Sequence, residues 1–442
     1  MDSRFYKGQL GFMHLLITPG LRIPLTLLVA ACCLGGLVQP KIMSVYVFAG
    51  AAIAAIGVLS VARNSSWRTA CWKKCLSAGL FFLVVAGASL FWFVPQQPLP
   101  FDRVGKLAAM GLSLFLLMAV PLGHITIRAV AMGLLIGTAL VAVVLIENGL
   151  IGFLGTIFVG PPNTAGYENF YKAPATILAV LIFPAFLVYQ STASEGVGTR
   201  LVTGLYGVAV LGVLLSGHAT SIAASLIGLG IAIAGRWAPK LVGGIIVIGV
   251  FVMMTVVPVA NSPSNVNALL SATQNHASLQ HRVLILDFAL KKIRQHPFLG
   301  WGLDSARFLP HGSDRIVDTP DRLQGLDTTL LHEGVVRLGQ NLPLHPHNIL
   351  MQIRLELGLP GVAATLLAFV LIIGRIVRLP GALDRSVCFG GLVAAIVIAS
   401  ISYGAWQTWW LGSMVLMTFF FRIGLLFFRR VLFRSVLART NP

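Results

Sequence analysis

The stretch LVGGIIVIGVFVMMTVVPV, residues 241–259, contains no charged side chain. As an α-helix it would be ~28 Å long, close to the ~30 Å hydrocarbon core of a bilayer. The whole chain of 442 residues shares this character, with 57% hydrophobic and 10% charged residues. A soluble domain needs more charge for its surface. The composition therefore excludes an ordinary soluble protein and predicts an integral membrane protein.

Apolar runs of similar length recur along the chain, and each could cross a membrane as a helix. We predict an all-α, polytopic fold with about 12 transmembrane helices. The predicted spans are 20–38, 42–62, 76–94, 105–121, 128–147, 173–190, 201–217, 219–235, 241–259, 357–374, 386–402 and 407–428. At His218, two predicted helices are joined by almost no connecting residues.

Basic residues are distributed unequally between the two sets of short connections. One set contains most of the Lys and Arg residues, and the other holds only Lys41, Arg103, Lys106 and Lys172. Because cytoplasmic loops are enriched in these residues, we predict that both termini are cytoplasmic. The net charge of +18 follows from this bias, so it does not indicate nucleic-acid binding. No cleavable signal peptide is recognisable, and we expect the first span to act as the anchor.

A long connection, residues 260–346, is polar and holds seven of the 14 acidic residues and six of the 10 histidines. Apolar residues recur at helical spacing from Val283 to Ile293, which predicts an amphipathic helix. The first residues of the connection are rich in Asn, Ser and Ala, which predicts a flexible loop. The part from Asp304 to Leu342 has no sustained hydrophobic period, so we predict a loop there as well. Such long connections are usually functional or disordered, and we predict a functional loop on the outer side.

These features divide the chain into three parts. Residues 1–259 would form transmembrane helices 1–9, and residues 260–346 the outer loop with its amphipathic helix. Residues 347–442 would form an interfacial helix, transmembrane helices 10–12 and a basic cytoplasmic tail.

The segment LHPHNILMQIRLELGLPG, residues 344–361, places charged groups beside a predicted span. If it is helical, His347 and Arg354 share one face and Glu356 points away. Gly358 and Gly361 interrupt the helix, which predicts a kink that lays its first part along the membrane interface. Simpler roles remain open: a satisfied interfacial histidine, an arginine that reaches head groups, and a glutamate paired with a basic neighbour.

His347 and Asn348, followed after nine residues by Gly358 and then by Gly361, resemble the signature of bacterial O-antigen ligases. O-antigen polymerases and protein O-oligosaccharyltransferases share this signature. One long periplasmic loop before the third-last span also fits the superfamily.

A second block of the same superfamily is similar to Arg282 and the segment HPFLGWGLDSARF, residues 296–308. In the family, an arginine opens a periplasmic helix and a His-Pro…Gly-x-Gly turn follows. His218 departs from the pattern, because the family often has Arg or Lys after a Ser there. Leu286 also stands where a tryptophan is common.

The resemblance implies a GT-C-like glycosyltransferase in the inner membrane of a Gram-negative bacterium, with its site facing the periplasm. It would move O-antigen glycan from undecaprenyl pyrophosphate to a sugar of lipid A–core. Attack by a sugar hydroxyl needs a base with a pKa near neutral, and we assign that role to His347. Guanidinium groups suit the departing pyrophosphate. The candidate substrate-binding residues are Arg282, then Arg354, with Lys172, Arg337, His218 and Asn348, while Gly358 and Gly361 are structural.

No Asp-x-Asp pair suitable for a metal is present, and arginines could replace the ion. We therefore expect a metal-independent, inverting enzyme without a cofactor. The aromatic stretch YGAWQTWW, residues 403–410, is interpreted as an interfacial belt or as a wall on which sugars stack.

Three alternatives stay open. An O-antigen polymerase would use a second lipid-linked glycan as acceptor, and a protein O-oligosaccharyltransferase would use Ser or Thr of a protein. A lipid or glycan transporter would need related halves and ionisable residues near the middle of the membrane. Apart from Arg422, the predicted spans are almost free of charge except near their ends.

Overall fold

The computed structural model describes residues 22–38, 41–61, 70–92, 101–120, 122–159, 165–194 and 198–440. Within these ranges the chain is helical and contains no strand, only an isolated bridge between Arg315 and Gln340. The first ten helices are α1 (Arg22–Val38), α2 (Ile42–Val61), α3 (Ala70–Ala88), α4 (Phe101–Ala119), α5 (His124–Leu150), α6 (Phe153–Val159), α7 (Ala165–Ser194), α8 (Thr199–Leu214), α9 (Ala219–Trp237) and α10 (Pro239–Ala260). The others are α11 (Pro263–Ala272), α12 (Ala277–Gln295), α13 (Glu333–Leu338), α14 (Ile349–Val377), α15 (Ala382–Ala399) and α16 (Thr408–Thr440).

Every predicted span overlaps one of these helices. Among the described residues, seven helices are long and apolar enough to cross a membrane. They are Ile125–Leu150, Tyr171–Ala193, Ala219–Trp237, Pro239–Ala260, Ile349–Val377, Ala382–Ala399 and Thr408–Phe427. Four apolar helices are shorter, namely Ile23–Leu34, Ile42–Ala55, Gly79–Trp92 and Thr199–Leu214. The protein is therefore a helical, multi-pass membrane protein, while a total of twelve spans stays a prediction.

The predicted boundary at His218 is confirmed. Helix α8 ends at Leu214, and Gly217 turns the chain with a positive φ of 67°. His218 then caps α9 as its N-terminal flanking residue. Four residues thus suffice to separate two helices.

Small residues allow the buried helices to approach one another closely. A Cβ atom on Gly228 of α9 would lie 2.7 Å from the Gly390 carbonyl of α15 and 2.7 Å from the ring of Phe183. Such small-residue contacts replace the hydrophobic driving force that is missing between helices in lipid. Apolar residues on the outer faces, such as Leu229 and Ile245, remain exposed and suit contact with lipid.

Arg422 does not lie free within its predicted span. Its guanidinium donates to the carbonyl groups of Leu117 and Val120 at 2.8 and 2.6 Å. These carbonyls lie at the C-terminal end of α4, where helical partners are missing. Arg422 therefore caps the C-terminal end of α4 by donating hydrogen bonds to its unpaired carbonyl groups.

The outer loop is more helical than the sequence predicts. A flexible opening was expected, yet residues 263–272 form α11, with the Ser262 side chain accepting from the Asn265 amide at 3.4 Å. Val266 and Leu270 lie one helical turn apart and bury against Leu284 of α12. The prediction failed because these two anchors stand among Asn, Ser and Ala residues. The amphipathic helix predicted around Val283–Ile293 is confirmed as part of α12.

The predicted kink in α14 is confirmed at Gly358, whose φ of 59° and ψ of −148° are not helical. The turn formed by HPFLGWG, residues 296–302, is hydrogen-bonded to this kink through backbone groups. Trp301 and Gly302 donate to the carbonyls of Leu355 and Glu356 at 3.0 and 2.8 Å, and Leu359 donates to Phe298 at 2.7 Å. The two blocks that carry the family resemblance are thus hydrogen-bonded to each other.

Replacing Gly358 by alanine should lower the free energy of unfolding by about 1–3 kcal/mol, the cost of a strained backbone that only glycine adopts easily. The new Cβ would also lie 2.7 Å from the Gly300 amide nitrogen. Thermal unfolding in detergent measures the effect. Gly374→Ala on the same helix is the matched control, because a Cβ there meets nothing within 4 Å. Equal melting of Gly358→Ala and the wild type would contradict the role assigned to the kink.

Candidate functional site

His347 lies just before α14 rather than on it. Its φ is 52°, and the helix begins at Ile349, with Asn348 as the N-cap. The Asn348 side chain accepts a hydrogen bond from the Met351 amide at 3.0 Å. The prediction that His347 and Arg354 share a helix face is therefore wrong, because Asn348 caps the helix and its first residue, Ile349, lies two residues after His347.

Arg354 is buried beneath the turn in HPFLGWG. Its guanidinium donates to the Pro297 carbonyl at 2.6 Å, so Arg354 supports the turn that pairs with the kink. Glu356 does not pair with a basic neighbour but accepts hydrogen bonds from backbone, amide and indole groups. Arg337 lies exposed on α13, and no described hydrogen bond or ion pair connects it to His347. No described contact links Arg354 or Arg337 to His347, and their role in substrate binding stays a prediction.

The hydrogen bonds of His347 define which ring nitrogen can act as a base. Its Nδ1 lies 3.1 Å from the Ser402 carbonyl oxygen. Because a carbonyl only accepts, the neutral ring carries its proton on Nδ1 and leaves Nε2 as the acceptor. A general base needs this acceptor nitrogen.

His345 supports His347 from the same segment. The His347 backbone N–H donates to His345 Nδ1 at 3.2 Å, and the two rings are 4.4 Å apart in an edge-on arrangement. The Nε2 of His345 faces the Gln407 side-chain amide at 3.1 Å. The histidine pair is therefore held by residues 402–407, the connection between α15 and α16.

The aromatic stretch in this connection is largely internal. Trp406 and Trp410 are buried, which excludes them from an interfacial belt. Tyr403 packs on Trp409 with ring centroids 4.7 Å apart, and its hydroxyl forms a 2.9 Å hydrogen bond with Thr176 of α7. Tyr403 thereby links the connection to the helix that carries Lys172.

Arg282, near the start of α12, extends toward this histidine site. Its charge acts on His347, His218 and Tyr403, which come from three different parts of the fold. Lys172 of α7 also acts on His218. No acidic side chain among the described residues forms an ion pair with Arg282. Arg282 is thus close enough to act electrostatically on His347 and His218, and Lys172 on His218, while their grouping into one substrate site stays a prediction.

Burial keeps the histidines of this site neutral. It lowers the pKa of His347, and Arg282 and His281 lower it further, while the hydrogen bond to Ser402 opposes the shift. Burial also lowers the pKa of His345 to about 3, with smaller effects of His347 and Arg307. A buried imidazole beside cations is therefore available as a base at neutral pH.

His218 cannot replace the family's Arg or Lys as a permanent cation. Burial, followed by the charges of Lys172 and Arg282, lowers its pKa to about 4. Its Nδ1 lies 2.7 Å from the Ser221 hydroxyl, within the first turn of α9. The positive charge near His218 therefore comes from Lys172 and Arg282.

Sequence reasoning missed three contributors to the site: the Ser402 carbonyl, Tyr403 and His345. A backbone carbonyl leaves no mark on the sequence, and Tyr403 was interpreted only as part of an aromatic belt or wall. Among the described residues, no group of three His, Cys, Asp or Glu side chains could hold a metal ion. Metal independence stays a prediction.

The fold defines a helical, multi-pass membrane protein in which the charge of Arg282 acts on the His347 imidazole at the start of α14. Comparison with known proteins adds a family. Residues 204–366 match the model of the family described as O-antigen ligase, which confirms the resemblance found in the two sequence blocks. This segment covers Arg282, His347 and the kink at Gly358.

Curated relatives come from the genus Rickettsia and are named putative polysaccharide ligases. The protein of Rickettsia prowazekii is 32% identical over 151 residues, which is 34% of this chain and 33% of the relative. That of Rickettsia conorii is 30% identical over 151 residues, with the same shares of both chains. The chain thus spans about a third of the length of the curated relatives it matches.

Proposed function

We propose that this protein transfers a glycan from undecaprenyl pyrophosphate to a sugar hydroxyl of lipid A–core, at the periplasmic face of the bacterial inner membrane. The observation that carries the proposal is the hydrogen bond between His347 Nδ1 and the Ser402 carbonyl, which leaves Nε2 as acceptor, together with the charge of Arg282 acting on His347 and His218 and that of Lys172 acting on His218. The family match supports glycan transfer as the reaction class.

In the proposed reaction, His347 Nε2 removes the proton of the acceptor hydroxyl as its oxygen attacks the anomeric carbon of the donor. The new glycosidic bond forms while the bond from that carbon to the pyrophosphate oxygen breaks. Both bonding electrons leave with the pyrophosphate, whose additional charge Arg282 and Lys172 stabilise. Base and cations on opposite sides of the carbon would give inversion, which the stereochemistry of the product tests.

A lipid-linked pyrophosphate suits the location of the site. No nucleotide energy source is available outside the cytoplasm, so the donor must arrive already activated. Its polyprenyl chain would stay in the bilayer, and its pyrophosphate would meet the site at the ends of α7, α9 and α14. Arg282, on the outer loop, would reach the same group from above.

Glycan transfer in vitro tests the proposal. Purified protein, the lipid-linked donor and lipid A–core should yield glycosylated lipid A–core, detected as a shift on gel electrophoresis. No product with either lipid A–core or a second lipid-linked glycan as acceptor would exclude the proposed activity. In cells, a deletion strain should accumulate lipid-linked polymer; core carrying a single repeat unit would instead indicate a polymerase.

The pH dependence follows from the lowered pKa of His347. A base works only when unprotonated, so its acidic limb lies at the pKa of the free enzyme. We expect kcat/KM for transfer to stay constant from pH 7 to below pH 6.5, which is the ordinary pKa of histidine. It should fall only at more acidic pH. A limb above pH 6.5 in the rate profile would contradict this environment for His347.

Cations from the chain should make a metal unnecessary. We expect full transfer activity in the presence of EDTA, because Arg282 and Lys172 can neutralise the pyrophosphate without an ion. Loss of activity in chelator with recovery on adding Mn²⁺ or Mg²⁺ would refute metal independence.

A further inference from the structure

Glu356 is the centre of a buried hydrogen-bond network beside the proposed site. Its side chain is fully buried, with 0% exposure. Oε1 accepts from the Gln352 amide at 2.9 Å and the Ala306 backbone at 3.2 Å. Oε2 accepts from the Trp406 indole and the Asp304 backbone, both at 2.5 Å. Each oxygen therefore has two donors.

These four N–H donors stabilise the ionised carboxylate, whereas burial and the neighbouring Asp304 carboxylate favour its protonated form. A protonated Glu356 would carry an O–H group that finds only N–H donors around it, and a buried donor without an acceptor is costly. No described basic side chain forms an ion pair with Glu356, so its direct stabilising contacts are hydrogen bonds. The carboxylate thus holds its donors in one geometry.

The network leads from Glu356 to His347 through residues 402–407. The Trp406 indole donates a hydrogen bond to Glu356 directly. Gln352 forms a second link, because its side chain donates to Glu356 and accepts from the Ala405 backbone N–H at 2.7 Å. The same connection contains the Ser402 carbonyl, which accepts from His347 Nδ1. Hydrogen bonds through Gln352, followed by the backbone from Ala405 to Ser402, therefore connect the buried carboxylate to the nitrogen that fixes the imidazole tautomer.

Packing restricts this connection further. A Cβ on Gly404 would lie 2.9 Å from the His345 ring, so the backbone touches the histidine pair closely. On its other side, Glu356 binds Asp304, whose carboxylate pairs with Arg103 at 2.9 Å and Arg307 at 3.2 Å. The network thus extends from α4 and the outer loop to the histidine pair.

We infer that Glu356 is a positioning residue that holds the Ser402 carbonyl in place and thereby fixes the tautomer and orientation of His347. The inference rests on the proposed role of His347 as the general base. Glu356 itself does not touch the substrate in this scheme. Residues that orient a catalytic side chain without contacting the substrate are often needed for full activity.

Glu356→Gln tests the inference with little change of shape. The amide nitrogen would face two N–H donors, so the connection would shift and weaken the bond from His347 to Ser402. A displacement of ~1 Å at a reacting group can cost about 100-fold in rate, and we expect kcat to fall by about that factor. The donor KM should stay unchanged, because Arg282 and Lys172 lie on α12 and α7.

The pH profile distinguishes positioning from a general loss of folding. The Ser402 hydrogen bond raises the pKa of His347, whereas burial, Arg282 and His281 lower it. These groups and the adjacent His345 remain in the variant, so loss of the Ser402 bond should move the acidic limb to lower pH. A purely structural defect would reduce the folded fraction and leave the limb where it is.

A charge exchange and a matched control sharpen the test. Glu356→Gln combined with Gln352→Glu restores a carboxylate–amide pair in the same space and should recover about tenfold of the lost kcat. Asp384→Asn alters another buried carboxylate, in the first turn of α15, and should not move the pH limb. If Glu356→Gln fails to fold, Trp406→Phe removes a single donor and should shift the limb in the same direction.

An unchanged limb in both Glu356→Gln and Trp406→Phe, each with wild-type kcat per folded molecule, would overturn the inference. That result would leave the proposed function intact if the wild type transfers glycan and His347→Ala does not. Absence of transfer by the wild type would instead reject the proposed function itself.

Discussion

Replacing His347 by alanine should lower the rate of glycan transfer by roughly 10²–10⁴-fold, the usual contribution of a general base. Alanine lacks the imidazole ring and therefore Nε2, and no other described histidine occupies the same position. His345 uses its Nδ1 to accept the backbone N–H of residue 347. Transfer by purified protein, measured under single-turnover conditions, gives this rate directly.

The matched control is His311→Ala, because His311 is an exposed histidine of the outer loop paired with Asp314 at 2.8 Å. Its rate should equal that of the wild type. Added imidazole should recover part of the activity lost in His347→Ala by supplying a diffusible base. A rate for His347→Ala within threefold of the wild type would exclude His347 as the base.

The second large effect is expected at Arg282. Arg282→Ala should reduce kcat by about 10²–10³-fold, because a preformed positive group that stabilises developing charge is typically worth this much. Arg282→Lys should retain part of the activity, since it keeps the charge but loses the forked geometry. The rate of release of undecaprenyl pyrophosphate from the donor measures the step on which Arg282 acts.

Arg315→Ala provides the comparison for Arg282, because Arg315 is an exposed arginine of the same loop that pairs with Asp318. It should leave kcat unchanged. Equal rates for Arg282→Ala and Arg315→Ala would show that the leaving group does not depend on Arg282.

Much of the fold could be predicted from the sequence because its physical causes are local. An apolar run such as 241–259 has no alternative to a buried or membrane-spanning helix, and α10 forms there. The kink was predictable at Gly358 because glycine and proline stand together at the start of a span. The helix α11 was not, because burial of Val266 and Leu270 depends on partners from α12 that are distant in sequence.

The site was predictable in its residue types and less so in its geometry. His347 and Arg282 could be found from their motifs, but Asn348 caps α14 and leaves His347 outside the helix. The charge state of His218 depends on burial, which a single sequence does not reveal. Arg354 resembles a substrate-binding arginine in sequence, yet it binds the Pro297 carbonyl in the folded chain.

The most direct test is a cryo-electron microscopy structure of the protein in nanodiscs with undecaprenyl pyrophosphate bound. The pyrophosphate oxygens should lie within ~3 Å of the Arg282 guanidinium and the Lys172 ammonium. His347 Nε2 should face the open side of the anomeric position, opposite the leaving group. A pyrophosphate bound away from Arg282, or an imidazole turned toward lipid, would contradict glycan transfer by this site.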